Sequence, residues 1–158
     1  MGTRALATAA YHIREYERLG GGADGRVFRG IVRSGRPGAG ECHALKAFRR
    51  EAYDAAREIE IWSALHPHPH IIALKGVFAW RQCVVLAAPE MDFDLHRYLS
   101  RRPRGVDLAV ARALARQLAL GLQHMHARRI VHRGLKPQNI LLRAEGGAGE
   151  PSGMQLLG

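Results

Sequence analysis

Cysteine is scarce in this chain, with only Cys42 and Cys83 among 158 residues. Two cysteines cannot form the set of bridges that stabilises small secreted domains, so a disulfide-rich fold is excluded. Each cysteine lies in an apolar stretch of sequence. We therefore expect both to be small core residues of a protein from a reducing compartment.

Long apolar runs are also missing. No stretch approaches the roughly 18 consecutive apolar residues that a membrane-spanning helix needs. The first residues lack the apolar segment of a secretory signal. Leu6 stands where an N-myristoylation signal requires Ser or Thr. The sequence thus predicts no association with a membrane.

Aromatic residues are few, at 6%, while Lys and Arg outnumber Asp and Glu by 24 to 14, which gives a net charge of +10. An excess of this kind is typical of proteins that bind nucleic acid. The basic residues are scattered, however, and no aromatic side chains alternate with them as a base-stacking surface requires. We predict no nucleic-acid partner, and a basic nucleic-acid binder stays as an alternative.

The chain does have enough apolar sequence, 47% of its residues, to build a core. Strand-like segments lie at 13–19, 26–32, 42–48, 71–80, 82–88 and 140–142. Helical spacing of apolar residues lies at 51–65, 94–99 and 107–128, and a glycine-rich flexible connection at 144–153. Because strands with one helix come first and helices dominate later, this order predicts an α+β fold in two lobes.

A glycine-rich turn is the first motif that carries chemistry. Residues 19–27 read L-G-G-G-A-D-G-R-V between two predicted strands and fit G-x-G-x-x-G-x-V. Glycine has no Cβ, so backbone N–H groups in such a turn can close over a polyphosphate. A dinucleotide-binding fold would place a helix directly after the turn, whereas a strand follows here.

Lys46 follows in the third strand, within the sequence A-L-K. An ammonium group inside a sheet is costly unless an anion lies near it, and the candidates are nucleotide phosphates and Glu58 on the next helix. Glu60 competes with Glu58, but Glu58 shares a helix face with Trp62 and should point inward. A solvated lysine on an edge strand is the alternative interpretation.

Three alternating histidines, His66, His68 and His70, flank two prolines. They could be read as metal ligands. Proline cannot continue a helix, however, so we interpret this segment as the turn that ends the helix at 51–65.

The most specific motif is V-H-R-G-L-K-P-Q-N-I-L-L at residues 131–142. The catalytic loop of protein kinases reads H-R-D-L-K-P-x-N and differs from it only at Gly134. With the glycine turn, Lys46 and Glu58 in matching order, the chain resembles a eukaryotic-type protein kinase domain over residues 13–158. The position of Lys136, two residues after Gly134, resembles the pattern of the serine/threonine class of kinases rather than that of the tyrosine class. The sequences R-E-I at 57–59 and D-L-H-R-Y-L at 94–99 resemble cyclin-dependent and related kinases.

This resemblance implies a division of the chain and a set of ligands. Residues 1–12 would be an N-terminal extension, 13–88 an antiparallel N-lobe with one main helix, 89–91 the hinge, and 92–158 a partial, mainly helical C-lobe through the catalytic loop. ATP and Mg²⁺ would be the cofactors, with Asn139 holding the metal. Gly134, Lys136 and Asn139 occupy the catalytic positions. The implied ATP-binding residues are Gly20, Gly22, Gly25, Val27, Ala44, Lys46, Glu58, Ala88, Glu90, Met91 and Leu141.

Two features depart from the kinase pattern. Gly134 replaces the aspartate that accepts or orients the proton of the substrate hydroxyl, and losing a positioned base costs about 10²–10⁴-fold in rate. The sequence also contains no D-F-G, whose aspartate is the other usual Mg²⁺ ligand, and M-Q-L-L-G at 154–158 resembles the strand before it. We expect no phosphotransfer by this chain and no rescue by Gly134→Asp alone.

Two functions stay open beside the basic nucleic-acid binder. One is a serine/threonine kinase by descent, impaired as given. The other is a pseudokinase that binds nucleotide or serves as a scaffold without transferring phosphate. A protein substrate or a regulatory protein, cyclin-like for example, would be the partner. The resemblance implies an intracellular protein of the cytoplasm or nucleus.

Overall fold

The computed structural model describes residues 6–7, 11–22, 25–49, 54–80, 82–144 and 151–156. The predicted tip of the glycine turn, the first residues of the predicted helix at 51–65 and most of the predicted connection at 144–153 lie outside these residues. The chain divides into two units. The first is Met1–Glu60 with Leu74–Glu90, and the second is Ile61–Ala73 with Met91–Gly158.

The first unit contains an antiparallel sheet of six strands in the order β1-β2-β3-β4-β6-β5. The strands are β1 Leu6–Ala7, β2 Tyr11–Gly22, β3 Gly25–Val32, β4 Cys42–Arg49, β5 Gly76–Trp80 and β6 Cys83–Pro89. Helix α1, Asp54–Leu65, follows β4 in the chain, and its last residues belong to the second unit. The antiparallel sheet and its single main helix agree with the predicted α+β class.

The predicted strand at 71–80 is wrong in its first half, because β5 begins only at Gly76. The backbone at residues 70–72 bonds within the second unit instead, whereas Lys75 N donates to Ala87 O of β6 at 2.7 Å. Ile72 N donates to Leu156 O, and Leu156 N donates to His70 O, each at 2.9 Å. Backbone groups already satisfied in this way have no need of a partner in the first sheet.

One face of the first sheet carries a hydrophobic core. Leu45, Ala47, Val85 and Ala87 are buried there together with Tyr11, and aromatic side chains pack at the edge of this cluster. Side chains alternate along a strand, so position 42 lies on the face opposite Leu45. Cys42 is accordingly exposed, which makes the prediction of two core cysteines wrong for Cys42, while Cys83 is half-buried.

The second unit combines helices with a small antiparallel sheet in the order β7-β8-β9. Its elements are β7 Phe93–Asp94, α2 Leu95–Ser100, α3 Leu108–Ala127, a short 3-10 helix Pro137–Asn139, β8 Ile140–Ala144 and β9 Pro151–Leu156. Asp94 and Asp107 cap the two α-helices, since their carboxylates accept the N–H groups of Arg97 and Ala109. The predicted connection at 144–153 is wrong in its last residues, which belong to β9.

A second hydrophobic core fills this unit, with Leu65, Tyr98, Met125, Leu142 and Leu156 among its buried members. Helix α3, within the segment predicted as helical at 107–128, packs against this core through Leu114, Leu118 and Leu122. No helix in the described ranges is long and apolar enough to cross a membrane.

Gly121 is buried in α3 at a close approach between elements. A Cβ atom at this position would lie 2.9 Å from Leu156 Cδ1 and 3.1 Å from the carbonyl oxygen of His70. The missing side chain therefore lets α3 contact β9 and the turn at residues 66–70, which follows the end of α1.

Candidate functional site

Four of the predicted ATP-binding residues lie on one face of the first sheet. Val27 is paired with Lys46 across β3 and β4, and Ala44 is paired with Ala88 across β4 and β6. Directly paired residues of antiparallel strands point to the same face, and so do residues two apart in one strand. Val27, Ala44, Lys46 and Ala88 thus share the face opposite the first core.

The glycine motif forms the end of the hairpin made by β2 and β3. Gly20 is paired with Val27, and Gly22 with Gly25. Strands β2 and β3 therefore extend through the glycines of the predicted turn. Residues 23–24, at the tip of this turn, lie outside the described residues. The three predicted glycines and Val27 are brought together at one end of the hairpin.

Lys46 is held by an ion pair with helix α1. Its Nζ donates to Glu58 Oε1 at 2.8 Å, and both side chains are largely buried. The ammonium also lies over the ring of Phe48, 4.6 Å from the ring centroid. Glu58 is the partner, while Glu60 is exposed. An ammonium has several N–H donors, so Lys46 retains donors for a second anion.

Glu90 forms hydrogen bonds through both its side chain and its backbone. Its carboxylate accepts hydrogen bonds from Nε and Nη2 of Arg29, with 2.7 Å to Nε, and its backbone N–H donates to Cys42 O at 3.3 Å. Sequence reasoning missed Arg29. The available signal was its position two residues after Val27, which places both side chains on the same sheet face. Ala88, two residues before Glu90, is buried.

Met91 lies at the start of a segment of the second unit that contacts β8. Arg143 Nη2 donates to Met91 Sδ at 3.6 Å, a weak hydrogen bond. Asp92 N donates to Leu142 O, and the Asp92 carboxylate accepts the N–H of Ala144 at 2.9 Å. Leu141 lies between buried Ile140 and Leu142, so it points to the face of β8 opposite the second core.

The loop at 132–139 brings Gly134 and Asn139 together. Gly134 N donates to His132 O at 2.7 Å and to His132 Nδ1 at 3.2 Å. The Asn139 side chain donates from Nδ2 to Gly134 O at 2.8 Å. Lys136 is exposed, and its carbonyl accepts the N–H of Asn139. The loop is thus held by hydrogen bonds that involve His132, Asn139 and the backbone of Gly134.

Nothing in the backbone requires glycine at position 134. Its φ lies outside the left-handed region, and an added Cβ would be 3.6 Å from Asn139 Nδ2 and 3.9 Å from His132 Nδ1, which are ordinary contacts. Arg133, its neighbour, does adopt a positive φ of 58°. Position 134 can therefore accept a Cβ atom without a change of loop shape.

The described residues do not form a complete Mg²⁺ site. Mg²⁺ favours oxygen ligands that include one or two carboxylates. Asn139 Nδ2 is already a donor to Gly134, so Oδ1 is the oxygen that this side chain can offer. Within the described part of the chain, no group of three or more His, Cys, Asp and Glu side chains is arranged to hold a metal ion.

Comparison with known proteins shows which family the chain belongs to. The family model for the protein kinase domain matches residues 13–148. The chain belongs to the protein kinase family. It is 38% identical over 141 residues to NUAK family SNF1-like kinase 2 of Rattus norvegicus, covering 82% of this chain and 21% of that kinase. It is 32% identical over 139 residues to cyclin-dependent kinase 15 of Mus musculus, covering 85% of this chain and 31% of that kinase.

A solved kinase structure confirms the fold. The crystal structure of Rad53 1-466 in complex with AMP-PNP superimposes with a TM-score of 0.78 at 25% identity, covering 94% of this chain and 38% of that chain. The predicted kinase-like α+β class is therefore confirmed. The chain spans about a fifth to a third of the curated relatives, and these relatives include both an SNF1-like and a cyclin-dependent kinase. The predicted subgroup stays a prediction.

Proposed function

We propose that this kinase domain binds ATP through its first unit and transfers phosphate poorly or not at all. The ion pair between Lys46 and Glu58 carries the proposal, because it places an ammonium with free donors on the sheet face that also bears Val27, Ala44 and Ala88. A largely buried lysine in this position needs anionic partners, and a nucleotide phosphate would supply a second one.

The surrounding residues suit the other parts of ATP. Ala44 and Ala88 are small, apolar and directly paired, so their side chains suit contact with the flat face of an adenine ring. The glycines of the β2–β3 hairpin offer backbone N–H groups without side chains in the way. Rad53, the structural neighbour, was crystallised with an adenine nucleotide, AMP-PNP. Mg²⁺ is the expected companion of ATP, with Asn139 as its one described candidate ligand.

Isothermal titration and thermal-shift measurements with ATP, with and without Mg²⁺, test nucleotide binding. We expect saturable binding that Lys46→Met weakens at least about tenfold, the factor that corresponds to about 1.4 kcal/mol. Lys75→Met is the matched control, since Lys75 is an exposed lysine of the same unit. Absence of ATP binding by the parent chain, or equal affinity in both variants, would contradict the proposal.

Gly134 supports the second half of the proposal. A glycine cannot accept the proton of a substrate hydroxyl, and this loss alone lowers the rate by about 10²–10⁴-fold. We therefore expect no phosphate transfer from radiolabelled ATP to the chain itself or to a mixed serine/threonine peptide substrate. Measurable turnover that Lys46→Met abolishes would favour an active kinase over a pseudokinase.

The partners follow from the same proposal. As a serine/threonine kinase by descent, the domain would contact a protein substrate. As a pseudokinase, it would contact a regulatory protein, and a cyclin-like protein is one example. Either role would be carried out inside the cell, in the cytoplasm or nucleus. Co-purification of a stoichiometric protein partner with Lys46→Met as well as with the parent chain would favour the scaffold role.

A further inference from the structure

A cavity of about 440 Å³ lies in the second unit, apart from the residues of the catalytic loop. Helix α3 contributes Arg116 and Leu120 to its lining, and the β8–β9 hairpin contributes Arg143 and Gly153. Its volume falls in the range of about 300–1,000 Å³ that is usual for ligand-binding pockets.

The walls of this cavity are fixed by hydrogen bonds between elements. Gln117 Oε1 on α3 accepts the N–H of Met154 on β9 at 2.8 Å. Gln155 Nε2 donates to Pro69 O at 3.3 Å, and His70 Nδ1 contacts Met154 O at the same distance. Because α3, β9 and the turn at 66–70 are joined in this way, the cavity is a preformed feature of the unit rather than a gap between unconnected segments.

The charge of the cavity has one sign. Arg116 and Arg143 are exposed at its border, and none of the described residues that line it is acidic. The described carboxylates of this unit, Asp92, Asp94 and Asp107, each accept a backbone N–H group. Among the described residues, neither Arg116 nor Arg143 has a carboxylate partner. Arg143 makes a weak hydrogen bond to Met91 Sδ, and within the described part of the chain both guanidinium groups keep N–H donors that carboxylates of a ligand can bind.

The cavity also has an apolar part. Leu120 is 37% exposed although it is a large hydrophobic residue on α3, and Met91 and the buried Met154 belong to the same lining. An apolar surface beside two arginines matches a peptide that carries one apolar and two acidic side chains. The described lining contains no Phe, Tyr or Trp for base stacking, so a single-stranded nucleic acid is a poorer match.

We propose that this cavity, bordered by Arg116, Arg143 and Leu120, is a docking site for an acidic-apolar peptide segment of a protein partner. The carboxylates of the segment bind the two arginines, and an apolar side chain contacts Leu120. Of the predicted ATP-binding residues, Met91 is the one that lines the cavity, and the proposed docking does not depend on phosphate transfer.

Gly153 makes a sharp test possible. A Cβ atom at Gly153 would meet no atom within 4 Å, and its φ lies outside the left-handed region. Gly153→Leu should therefore fold and occupy part of the cavity. Gly76→Leu is the matched control, because Gly76 begins a strand of the first unit and is equally open. Arg116→Glu reverses one charge of the site, and Arg112→Glu does the same one turn away on α3, outside the lining.

The probe is a pool of short synthetic peptides with two fixed glutamates, one fixed leucine and randomised remaining positions. We expect the full chain to enrich a subset of this pool. By fluorescence anisotropy, the enriched peptides should bind at least about tenfold more weakly to Gly153→Leu and to Arg116→Glu. Gly76→Leu and Arg112→Glu should bind like the parent, and Gly153→Leu should bind ATP like the parent.

Three outcomes would overturn the proposal. The pool could show no enrichment. The enriched peptides could bind Gly153→Leu, checked as folded by circular dichroism, as tightly as the parent. A short oligothymidylate could compete fully for the cavity and bind more tightly than any peptide, which would assign the basic border to nucleic acid.

Discussion

Lys46 Nζ and Glu58 Oε1 are 2.8 Å apart, and this ion pair joins the central strand β4 to helix α1. The pair orients the ammonium toward the sheet face that we propose as the ATP site. Removing the negative charge should therefore alter nucleotide binding through the position of Lys46, although Glu58 itself contacts no nucleotide in the proposal.

Glu58→Gln should weaken ATP binding about tenfold, because a charge-assisted hydrogen bond is roughly twice as strong as a neutral one and the glutamine retains only the neutral acceptor. Titration calorimetry measures this change. Glu60→Gln, an exposed glutamate on the same helix, should bind ATP like the parent. Equal affinities for the two variants would show that the ion pair does not position Lys46.

Gly134→Asp should leave the fold intact. Position 134 has an ordinary φ and space for a Cβ, so the free energy of unfolding should change by less than about 1 kcal/mol. Gly40→Asp makes the same change at φ 87° in an open turn and should cost about 1–2 kcal/mol. Urea unfolding compares the two. A large loss at position 134 alone would show that the loop needs glycine there. We expect no phosphate transfer from Gly134→Asp.

Gly121→Ala sets two effects against each other. Alanine favours a helix over glycine by about 1 kcal/mol, whereas overpacking in a core costs about 1–3 kcal/mol. The contact at 3.1 Å is to the backbone oxygen of His70, which cannot rotate away, so we expect a net destabilisation. Gly153→Ala, where the same added methyl group meets open space, should not destabilise. Thermal unfolding distinguishes them, and a stabilised Gly121→Ala would mean that α3 and the turn separate easily.

Histidine titration should make the stability of the second unit depend on pH. The ring centroids of His68 and His124 are 4.3 Å apart, and Arg128 Nη1 donates to His124 Nδ1. Burial, followed by the nearby charges of His124, His70 and Arg128, lowers the pKa of His68 from its ordinary value of 6.5. Below about pH 6.5 the unfolded chain then binds more protons than the folded chain. The free energy of unfolding is therefore at its full value above about pH 6.5 and falls as the pH decreases below it.

The melting temperature should therefore drop on acidification, and it should drop less in His68→Asn. Asparagine retains an acceptor for the N–H of His70, which His68 Nδ1 now accepts at 3.2 Å, but it does not titrate. His126→Asn is the control, since His126 is an exposed histidine of α3 with no ring contact among the described histidine pairs. Identical pH profiles for the parent and His68→Asn would rule out His68 as the source of the drop.

Local signals predicted the elements well. The starts of α2 and α3 follow from Asp94 and Asp107, whose side chains satisfy the first N–H groups of each helix. The preference for Glu58 over Glu60 followed from its spacing to Trp62, which is buried with its Nε1 donating to Ile72 O at 2.6 Å. Such inferences need only residues within one or two turns of each other.

Contacts between residues that lie far apart in the chain were not predicted from the sequence. The pair Arg29–Glu90 joins residues 61 positions apart, and only the register of three strands brings them together. The strand predicted at 71–80 begins later than expected because residues 70–72 bond to Leu156, a pairing that has no local signature in the sequence. The exposure of Cys42 likewise depends on which face of β4 receives the core. In each case the deciding partner is remote in sequence.

In the loop before Asn139, a residue with a side chain occupies a backbone conformation that favours glycine, and this costs free energy. Arg133 occupies the left-handed region at φ 58°, where a side chain costs about 1–2 kcal/mol, while the glycine beside it sits in an ordinary conformation that any residue adopts. Exchanging the two residue types would relax the loop. The loop therefore bears a conformational cost at Arg133 that glycine would avoid, while the freedom that glycine offers is unused one residue later.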